Sequence, residues 1–222
     1  MNSFASYFKA HGTLKTFRAK APLVFQGEVP RHVFVVLDGI VRAYTITSSG
    51  EERIIGLYGK GEVFPLSWAL DEAPNALYYY EAMSDARVLA IKKSDFSTGI
   101  EDNHEAATHL LKLVAHEYTS AQLRITGLTQ SRTLEKLAYT FYYLMFRYGL
   151  DRGNDTMLIN LKLNQTLLAN LIGQTREGTA RNLKVLVKHG AVSYQGSSYT
   201  VHRDKLIALL GEDNFRELVK ST

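Results

Sequence analysis

The stretch LNQTLLANLIGQTREGTARNLKVLVKHG, residues 163–190, has the pattern of two helices joined by a tight turn. Asn164 is a helix-capping residue type, and the apolar residues after it predict a first, short helix. Gly173 stands where that helix needs a left-handed residue to end. Thr175 is a second capping residue type, which predicts a longer helix over Arg176–Lys188. A short helix, a turn with glycine and a longer helix together predict a helix-turn-helix.

The longer helix divides into an apolar face and a charged face. The predicted buried face comprises Ala180, Leu183, Leu186 and Val187, and the predicted outer face comprises Arg176, Glu177, Arg181, Lys184 and Lys188. Arginine presents a planar fork that matches O6 and N7 of guanine, and glutamate accepts from N4 of cytosine. Such groups near the start of a recognition helix predict contacts to base edges in the major groove of DNA. The alternative is an ordinary surface ion pair between Glu177 and Arg181.

A hairpin is predicted directly after this helix. Residues 191–195 and 198–202 alternate between polar and apolar types around Gly196 and Ser197. A hairpin in that position is the wing of a winged helix. Polar side chains on a wing, and a capping residue at a helix N-terminus, are suited to contact DNA phosphates. We therefore predict phosphate contacts for Ser197 and Thr175, and the other polar candidates are Ser193, Gln195, Ser198 and His202.

Residues 12–95 have the pattern of an all-β unit. Short runs rich in β-branched and aromatic residues are Leu23–Phe25, Val33–Leu37, Ile40–Thr45, Ile54–Tyr58, Leu77–Met83 and Val88–Ile91. Turn-forming pairs such as Asp38-Gly39 and Ser49-Gly50 separate the runs and supply the positive φ angles of tight hairpins. Regular short strands with such turns predict a barrel or a roll.

Residues 102–128 change to a helical period. Apolar residues recur at alternating spacings of four and three, and we call this row the seam: Ala107, Leu111, Val114, Tyr118, Ala121, Ile125 and Leu128. The spacing is that of a coiled-coil a/d pattern, which predicts pairing with the same helix of a second chain. The alternative is that the seam packs against the protein's own roll, although Leu110 and Leu113 offer a second apolar pair for that role. Beyond it, Leu134–Tyr148 predicts an apolar, aromatic helix that ends at Gly149.

The order of roll, long helix and winged helix-turn-helix resembles the cyclic-AMP receptor protein and FNR family of bacterial transcription regulators, over about residues 12–205. The motifs in the roll are FQGE (25–28), VFVVLDGIVRAY (33–44), GEERII (50–55) and GEVF (61–64). The motifs in the DNA-binding part are LA (168–169), LIG (171–173), TRE (175–177), RNL (181–183), Leu186 and HGAV (189–192). The resemblance implies an α+β fold with three parts. They are a double-stranded β-roll like the cyclic-nucleotide-binding domain (1–102), a long coiled-coil dimerisation helix with a hinge (103–130), and a winged helix-turn-helix domain (131–222).

The resemblance also implies residue roles and partners. The family's three base-reading residues fall on Arg176, Glu177 and Arg181. Thr175 would be a cap and a phosphate contact, assisted by Gln174. The implied partners are double-stranded DNA and a second copy of the chain, and contacts to RNA polymerase are compatible with this class. Many members have threonine where this chain has Gly178, and a glycine inside a helix costs about 1 kcal/mol relative to alanine.

The effector site departs from the cyclic-nucleotide-binding members. Those members use a glutamate for the ribose and an Arg-Ser pair for the cyclic phosphate, and these positions fall on Leu66, Ala76 and Leu77. A buried phosphate without a charged partner is strongly disfavoured. We therefore expect no tight binding of cyclic AMP.

The aromatic stretch 65–83 leaves two interpretations of the roll interior open. Alternation along a strand would turn Tyr78 and Tyr80 one way and Tyr79 and Glu81 the other. In the first interpretation an apolar effector pocket is lined by Leu66, Trp68, Tyr78, Tyr79 and Tyr80. In the second interpretation the side chains fill the roll completely.

Composition excludes several classes of protein. The chain has 222 residues, of which 45% are hydrophobic and 22% charged, as in globular proteins. It contains no cysteine, which excludes a cysteine-held iron–sulfur cluster, a thiolate zinc site and a cysteine nucleophile. His32 is the only histidine between residues 12 and 103, so we predict neither haem nor another metal. No P-loop, GxGxxG motif or clustered His and carboxylate set occurs in the sequence, and we predict that the protein is not an enzyme.

The net charge of +4 lies entirely in the C-terminal part of the chain. Residues 1–161 contain 17 Lys and Arg against 17 Asp and Glu, whereas residues 162–222 contain nine against five. This asymmetry favours a C-terminal part that faces a polyanion, and chance clustering of surface lysines is the alternative. No apolar run of about 18 residues and no apolar leader segment occurs, so we expect a cytoplasmic protein without membrane contact.

These observations favour a sequence-specific, DNA-binding transcription regulator that binds a two-fold symmetric operator as a homodimer. Its effector is unidentified or absent. Two alternatives stay open. One is an interaction protein with a ligand-binding roll and a degenerate DNA-binding domain, and the other is a true cyclic-nucleotide-responsive regulator.

Overall fold

The computed structural model describes residues 8–211, and the chain divides into two compact units after Ala115. Within the described residues, the first unit contains eight strands and the second contains four. The predicted domain boundaries after residues 102 and 130 stay predictions. The outer ends of the predicted first and last domains, residues 1–7 and 212–222, lie outside the described residues.

Two four-stranded antiparallel sheets form the first unit. Its strands are β1 (Gly12–Phe17), β2 (Pro22–Val24), β3 (Val33–Asp38), β4 (Val41–Ile46), β5 (Glu52–Tyr58), β6 (Val63–Phe64), β7 (Tyr79–Ala82) and β8 (Ala86–Ile91). One sheet has the order β1-β8-β3-β6, and the other has the order β2-β7-β4-β5. The predicted roll is therefore confirmed.

The alternation of β3 shows how the sequence builds two cores. Phe34 and Val36 point into the core between the two sheets. Val33 and Val35 point the other way, into a second core that the helices cover. This helix-side core brings the β1-β8-β3-β6 sheet together with α1 (Leu66–Ala69), α2 (Lys93–Asp102) and the first part of α3 (His104–Leu128).

The long helix α3 has 25 residues and confirms the predicted helical segment. Leu110 is buried in the helix-side core and Leu113 packs against it. This apolar pair therefore has the role that the sequence predicted for it. Because Leu110 and Leu113 already attach α3 to the roll, the helix does not need the seam for this contact.

The turn between β3 and β4 requires glycine. Gly39 has a φ of 83°, as predicted for this tight hairpin. An added Cβ at Gly39 would overlap the carbonyl oxygen of Asp85 on the neighbouring turn. Both the left-handed backbone and the close approach of the two turns therefore exclude other residue types.

Each of the six predicted strand runs overlaps a strand of the roll, and β1 and β6 were not predicted. Among the strands of residues 8–211, β1 lies at a sheet edge and pairs with β8 alone. Its Leu14 is exposed, so the strand has little of the apolar alternation that marks the others. The strand β6 has two residues, which is too short to give a pattern.

The second unit surrounds the aromatic helix α4 (Thr133–Tyr148). The elements that follow are β9 (Gly149–Asp151), β10 (Thr156–Ile159), α5 (Gln165–Ile172), α6 (Arg176–Lys188), β11 (Val192–Gln195), β12 (Ser198–His202) and α7 (Arg203–Leu210). The four strands form one antiparallel sheet in the order β11-β12-β10-β9. Tyr142 of α4 is fully buried, and this burial raises its pKa to about 12. None of the helices described has the length and apolar character to cross a membrane.

Candidate nucleic-acid interface

Local hydrogen bonds define both helices of the helix-turn-helix. The backbone N–H of Leu167 donates to Asn164 Oδ1 over 2.7 Å and caps α5. Gly173 ends α5 with a φ of 63° and a ψ of 39°, a left-handed conformation that favours glycine. The N–H of Gly178 donates to Thr175 Oγ1 over 3.1 Å and caps α6. Both predicted caps, the predicted turn and both predicted helices are confirmed.

The buried face of α6 consists of Thr179, Leu183 and Leu186. Thr179 was missed by the sequence analysis, and its hydroxyl donates to the carbonyl oxygen of Thr175 over 2.9 Å. The prediction that Val187 lies on this face is wrong, because Val187 is 38% exposed. Neighbouring residues on a helix are turned by about 100°, so the residue after the buried Leu186 is carried to the edge. Ala180 lies half-buried at the other edge.

The opposite face of α6 presents charged side chains to solvent. The exposed residues there are Arg176, Glu177, Arg181, Lys184 and Lys188. Among residues 8–211, no ion pair joins Glu177 to Arg181. By contrast, Arg42 in the roll forms ion pairs with Glu52 and Glu81. The charged groups of α6 are therefore free to bind an external partner, and the alternative of a surface ion pair has no support in the described residues.

Gln174 and Ser197, two other predicted DNA contacts, take part in hydrogen bonds inside the protein, Gln174 through its side chain and Ser197 through its backbone carbonyl. Thr133 Oγ1 in α4 donates to Oε1 of the half-buried Gln174 over 3.3 Å. The carbonyl oxygen of Ser197, at the tip of the wing, accepts from the N–H of Leu163 over 2.9 Å. These bonds fix the turn and the wing relative to the helices. The side chains of Gln174 and Ser197 are less accessible than those on the outer face of α6.

Lys162 is a cation near the wing that was not predicted from the sequence. It is exposed, and its Nζ donates to Ser198 Oγ over 2.7 Å. The bond places an ammonium group beside the first residue of β12. The sequence could have indicated this residue, because Lys162 is the first residue of the basic C-terminal part, residues 162–222. Lys162 is therefore a further candidate for a phosphate contact.

The seam of α3 lies on the solvent side of that helix. Leu111, Tyr118 and Ile125 are 70%, 65% and 56% exposed. The other members are the exposed Val114, Ala121 and Leu128 and the half-buried Ala107. A contiguous row of exposed apolar side chains indicates an interaction surface. Pairing of two chains through this row stays a prediction.

Known proteins resemble both parts of the chain. A family model of the cyclic nucleotide-binding domain matches residues 14–103, and a model of the Crp-like helix-turn-helix domain matches residues 135–209. The cyclic AMP receptor protein of Thermus thermophilus is 29% identical over 77% of this chain and 75% of its own length. The chain belongs to the CRP/FNR family.

Other CRP/FNR proteins extend the comparison to more of the chain. The nitrogen fixation regulation protein FixK of Azorhizobium caulinodans is 24% identical over 90% of this chain and 79% of its own. The structure of FixK2 from Bradyrhizobium japonicum has a TM-score of 0.74 at 23% identity, covering 89% of this chain and 96% of its own. That structure shows the same fold. This CRP/FNR protein is a DNA-binding transcription regulator and not an enzyme.

Aromatic rings occupy the space between the two sheets of this CRP/FNR roll. Phe64 is fully buried and stacks on Phe34 and Tyr80, with ring centroids 5.3 Å and 5.1 Å away. Tyr58 lies against Phe64 at 5.5 Å and against Tyr80 at 5.9 Å. We call these four rings the aromatic core. Their packing favours the interpretation of a filled interior.

The five residues of the predicted effector pocket do not line one cavity. Leu66 and Trp68 pack in the helix-side core, because they lie on the short helix α1. Tyr80 and Tyr78 contact the core between the sheets. Tyr79 lies on the outer face of its sheet, as the predicted alternation requires. The pocket prediction is wrong because it combined side chains that face three different environments.

The three positions that the family resemblance assigns to cyclic-nucleotide contacts, 66, 76 and 77, carry uncharged residues here. Leu66 packs in the helix-side core and Leu77 is exposed. Ala76 is buried, and its N–H and C=O bond to the backbone of Glu28 and Gly27 over 2.9 Å and 2.8 Å. A cyclic phosphate would therefore meet no cation at any of these three positions.

His32 stands in a cationic environment. Its pKa is lowered by partial burial and by the charges of Lys15, Arg31 and Lys92. In the part of the chain that the structure describes, no three His, Cys, Asp or Glu side chains are grouped to hold a metal ion. The prediction that the protein uses no metal or haem stays a prediction.

Proposed function

We propose that two copies of the chain pair along the seam and bind a two-fold symmetric DNA operator. Each copy would insert its α6 into the major groove, and the two grooves would be about one helical turn apart. The observation that carries this proposal is the set of exposed residues at the start of α6, Arg176, Glu177 and Arg181. They are the side-chain types that read guanine and cytosine edges.

The exposed seam supports the pairing step. An apolar row along one face of a long helix loses its contact with water when the same face of a second helix covers it. The two-fold symmetry of the paired chains then sets the spacing between the two half-sites of the operator. Such a regulator acts on transcription in the bacterial cytoplasm, and RNA polymerase belongs to the proposal as a second partner.

Around the base-reading residues we assign phosphate contacts. Lys184 and Lys188 extend the outer face of α6, and Thr175 caps its N-terminus. Lys162 and Ser197 lie at the wing. Phosphate contacts orient a protein on DNA and carry most of the salt dependence, whereas base contacts carry sequence information.

We expect Arg181→Ala to lower the affinity for the selected operator by about 1–3 kcal/mol and to relax the preference at one base pair. The operator is first selected from random DNA, and binding is then measured by fluorescence anisotropy on the operator and on random duplexes at several salt concentrations. Lys184→Ala is the matched control, because loss of a phosphate contact lowers the affinity for all sequences alike. Equal losses on operator and random DNA for Arg181→Ala would refute base reading by this residue.

We also propose that this regulator does not respond to cyclic AMP, although a Thermus relative is named for that ligand. The uncharged residues at positions 66, 76 and 77 and the aromatic core between the sheets support this proposal. Isothermal titration calorimetry should show no saturable binding of cyclic AMP at concentrations up to about 1 mM. A cyclic-AMP-binding relative titrated in parallel is the control. A saturable heat signal would instead identify a cyclic-nucleotide-responsive regulator.

A further inference from the structure

The second half of α3 belongs to the same compact unit as the helix-turn-helix, because that unit begins at His116. One stripe of its residues recurs at spacings of four, three and four: His116, Ser120, Leu123 and Gly127. The two end members contact α4. The ring of His116 stacks on Phe146 with centroids 4.8 Å apart, and an added Cβ at Gly127 would lie 2.7 Å from the Cβ of Tyr139. The two middle members are buried, so this part of α3 is held closely on α4.

The part of the seam in this unit lies on the other side of α3. Residues two apart on a helix are turned by about 200°, so Tyr118 faces away from His116 and Ile125 faces away from Gly127. Tyr118 and Ile125 are exposed, whereas Gly127 is buried. The seam and the contact with α4 therefore use two faces of the same stretch of helix. A second chain paired along the seam would hold this stretch, and the helices fixed to it, in one orientation.

Arg124 lies on the flank between these two faces and reaches the helix-turn-helix. Its Nη2 donates to the carbonyl oxygen of Leu171 in α5 over 3.3 Å. Its guanidinium carbon lies 5.3 Å from the centroid of the Tyr143 ring in α4. Leu171 is in the last turn of α5, where the carbonyls have no partner within the helix and the helix dipole favours a cation. Arg124 therefore joins three helices just before Gly173, where the turn to α6 begins.

A second polar contact holds α3 on α4. Oε1 of Glu117 lies 2.8 Å from Nη1 of Arg147, whose side chain is buried near the end of α4. This ion pair and the stripe attach α3 to α4, whereas the bond from Arg124 reaches α5. A variant at position 124 loses the attachment to α5 and keeps the ion pair and the stripe. We therefore expect such a variant to fold.

We propose that Arg124 is a positioning residue that fixes the helix-turn-helix relative to the seam. The inference rests on the proposed function, because it requires two chains paired along the seam and two half-sites on one operator. Since α6 follows α5 after a tight turn, a fixed α5 gives each α6 a fixed distance and rotation from the two-fold axis. The paired chains then accept only half-sites whose separation matches these values. Without the bond from Arg124, operators with other separations are bound more nearly as well.

The test compares Arg124→Met with Arg124→Lys. Methionine has no donor, whereas lysine keeps a cationic donor for the Leu171 carbonyl. Fluorescence anisotropy measures binding to the selected operator, to operators with half-sites one or two base pairs closer or farther apart, and to a duplex with one half-site. We expect Arg124→Met to lower the preference for the selected separation about tenfold, because a hydrogen bond from a charged group is lost. Arg124→Lys should keep more of this preference, and both variants should bind the single half-site as the parent does.

Arg152→Met is the matched control. It makes the same substitution at an exposed position between β9 and β10 of the same unit. We expect this control to keep the parent's preference for the selected separation. Analytical ultracentrifugation compares the mass of each variant with that of the parent, and circular dichroism compares the thermal midpoints of unfolding.

Three results for Arg124→Met would overturn the inference and leave base reading by α6 intact. The first is a preference for the selected separation that equals the parent's. The second is a loss of dimer mass, which would place Arg124 in the pairing of the two chains. The third is an equal loss on all duplexes, including the single half-site, which would mean that Arg124 only stabilises the fold. Failure of the proposed function is recognised separately, by an Arg181→Ala variant that binds operator as the parent does.

Discussion

The double variant Val114→Glu with Tyr118→Glu should be a monomer that binds the operator at least about a hundredfold more weakly than the parent. Pairing of two such chains would bring four carboxylates into the seam, and burying unpaired charges is strongly unfavourable. A single chain can hold only one half-site, so the gain from linked binding of two half-sites is lost. Analytical ultracentrifugation measures the mass, and fluorescence anisotropy measures operator affinity.

We expect the double variant to fold, since both side chains lie on the solvent side of α3 and outside the cores. Lys112→Glu is the matched control. It changes the charge of the same helix by the same two units at an exposed position outside the seam. We expect this control to keep the parent's mass. If the double variant kept the parent's dimer mass, the seam would not be the surface through which the two chains pair. If the parent protein were a monomer, the proposed pairing in solution would be wrong.

Phe64→Ala should lower the free energy of unfolding by about 3–5 kcal/mol. Phe64 is fully buried at the centre of the aromatic core, where it stacks on Phe34 and Tyr80. Removing its ring leaves a cavity that these neighbours fill only in part, because they also belong to strands held by the two sheets. Urea denaturation followed by circular dichroism measures the loss.

Phe25→Ala is the control for removing a phenylalanine ring from the same roll. Phe25 is 53% exposed and has an edge contact with Tyr79, at 6.4 Å between ring centroids. Removing its ring should lower the free energy of unfolding by less than about 1 kcal/mol. A similarly small loss for Phe64→Ala would mean that the space between the two sheets is not tightly filled.

The helix-turn-helix could be predicted almost residue by residue because its signals are local. Asn164 and Thr175 each cap a helix through a hydrogen bond that spans three residues, and Gly173 ends a helix through its own backbone conformation. Such interactions depend little on the rest of the molecule. The error at Val187 arose at the edge of a helix face, where a sequence pattern does not show how far the neighbouring elements extend.

The lining of the roll could not be predicted because it depends on long-range packing. Trp68 and Tyr80 are both aromatic and belong to one stretch of sequence, yet they lie in different cores. The cause is the four-residue helix α1, which is too short to give a periodic pattern. The edge strand β1 was missed for a related reason, since a strand paired on one side leaves Leu14 exposed.

The position of Trp68 has a consequence for spectroscopy. It is the single tryptophan of the chain and lies in the helix-side core of the first unit, with Lys93 Nζ 4.9 Å from its ring centroid. The recognition helix α6 lies in the second unit. Intrinsic indole emission therefore reports on the first unit, which holds the roll, and not on the second unit, which holds α6. A shift of that emission on adding operator DNA would be a label-free optical measure of communication between the two units.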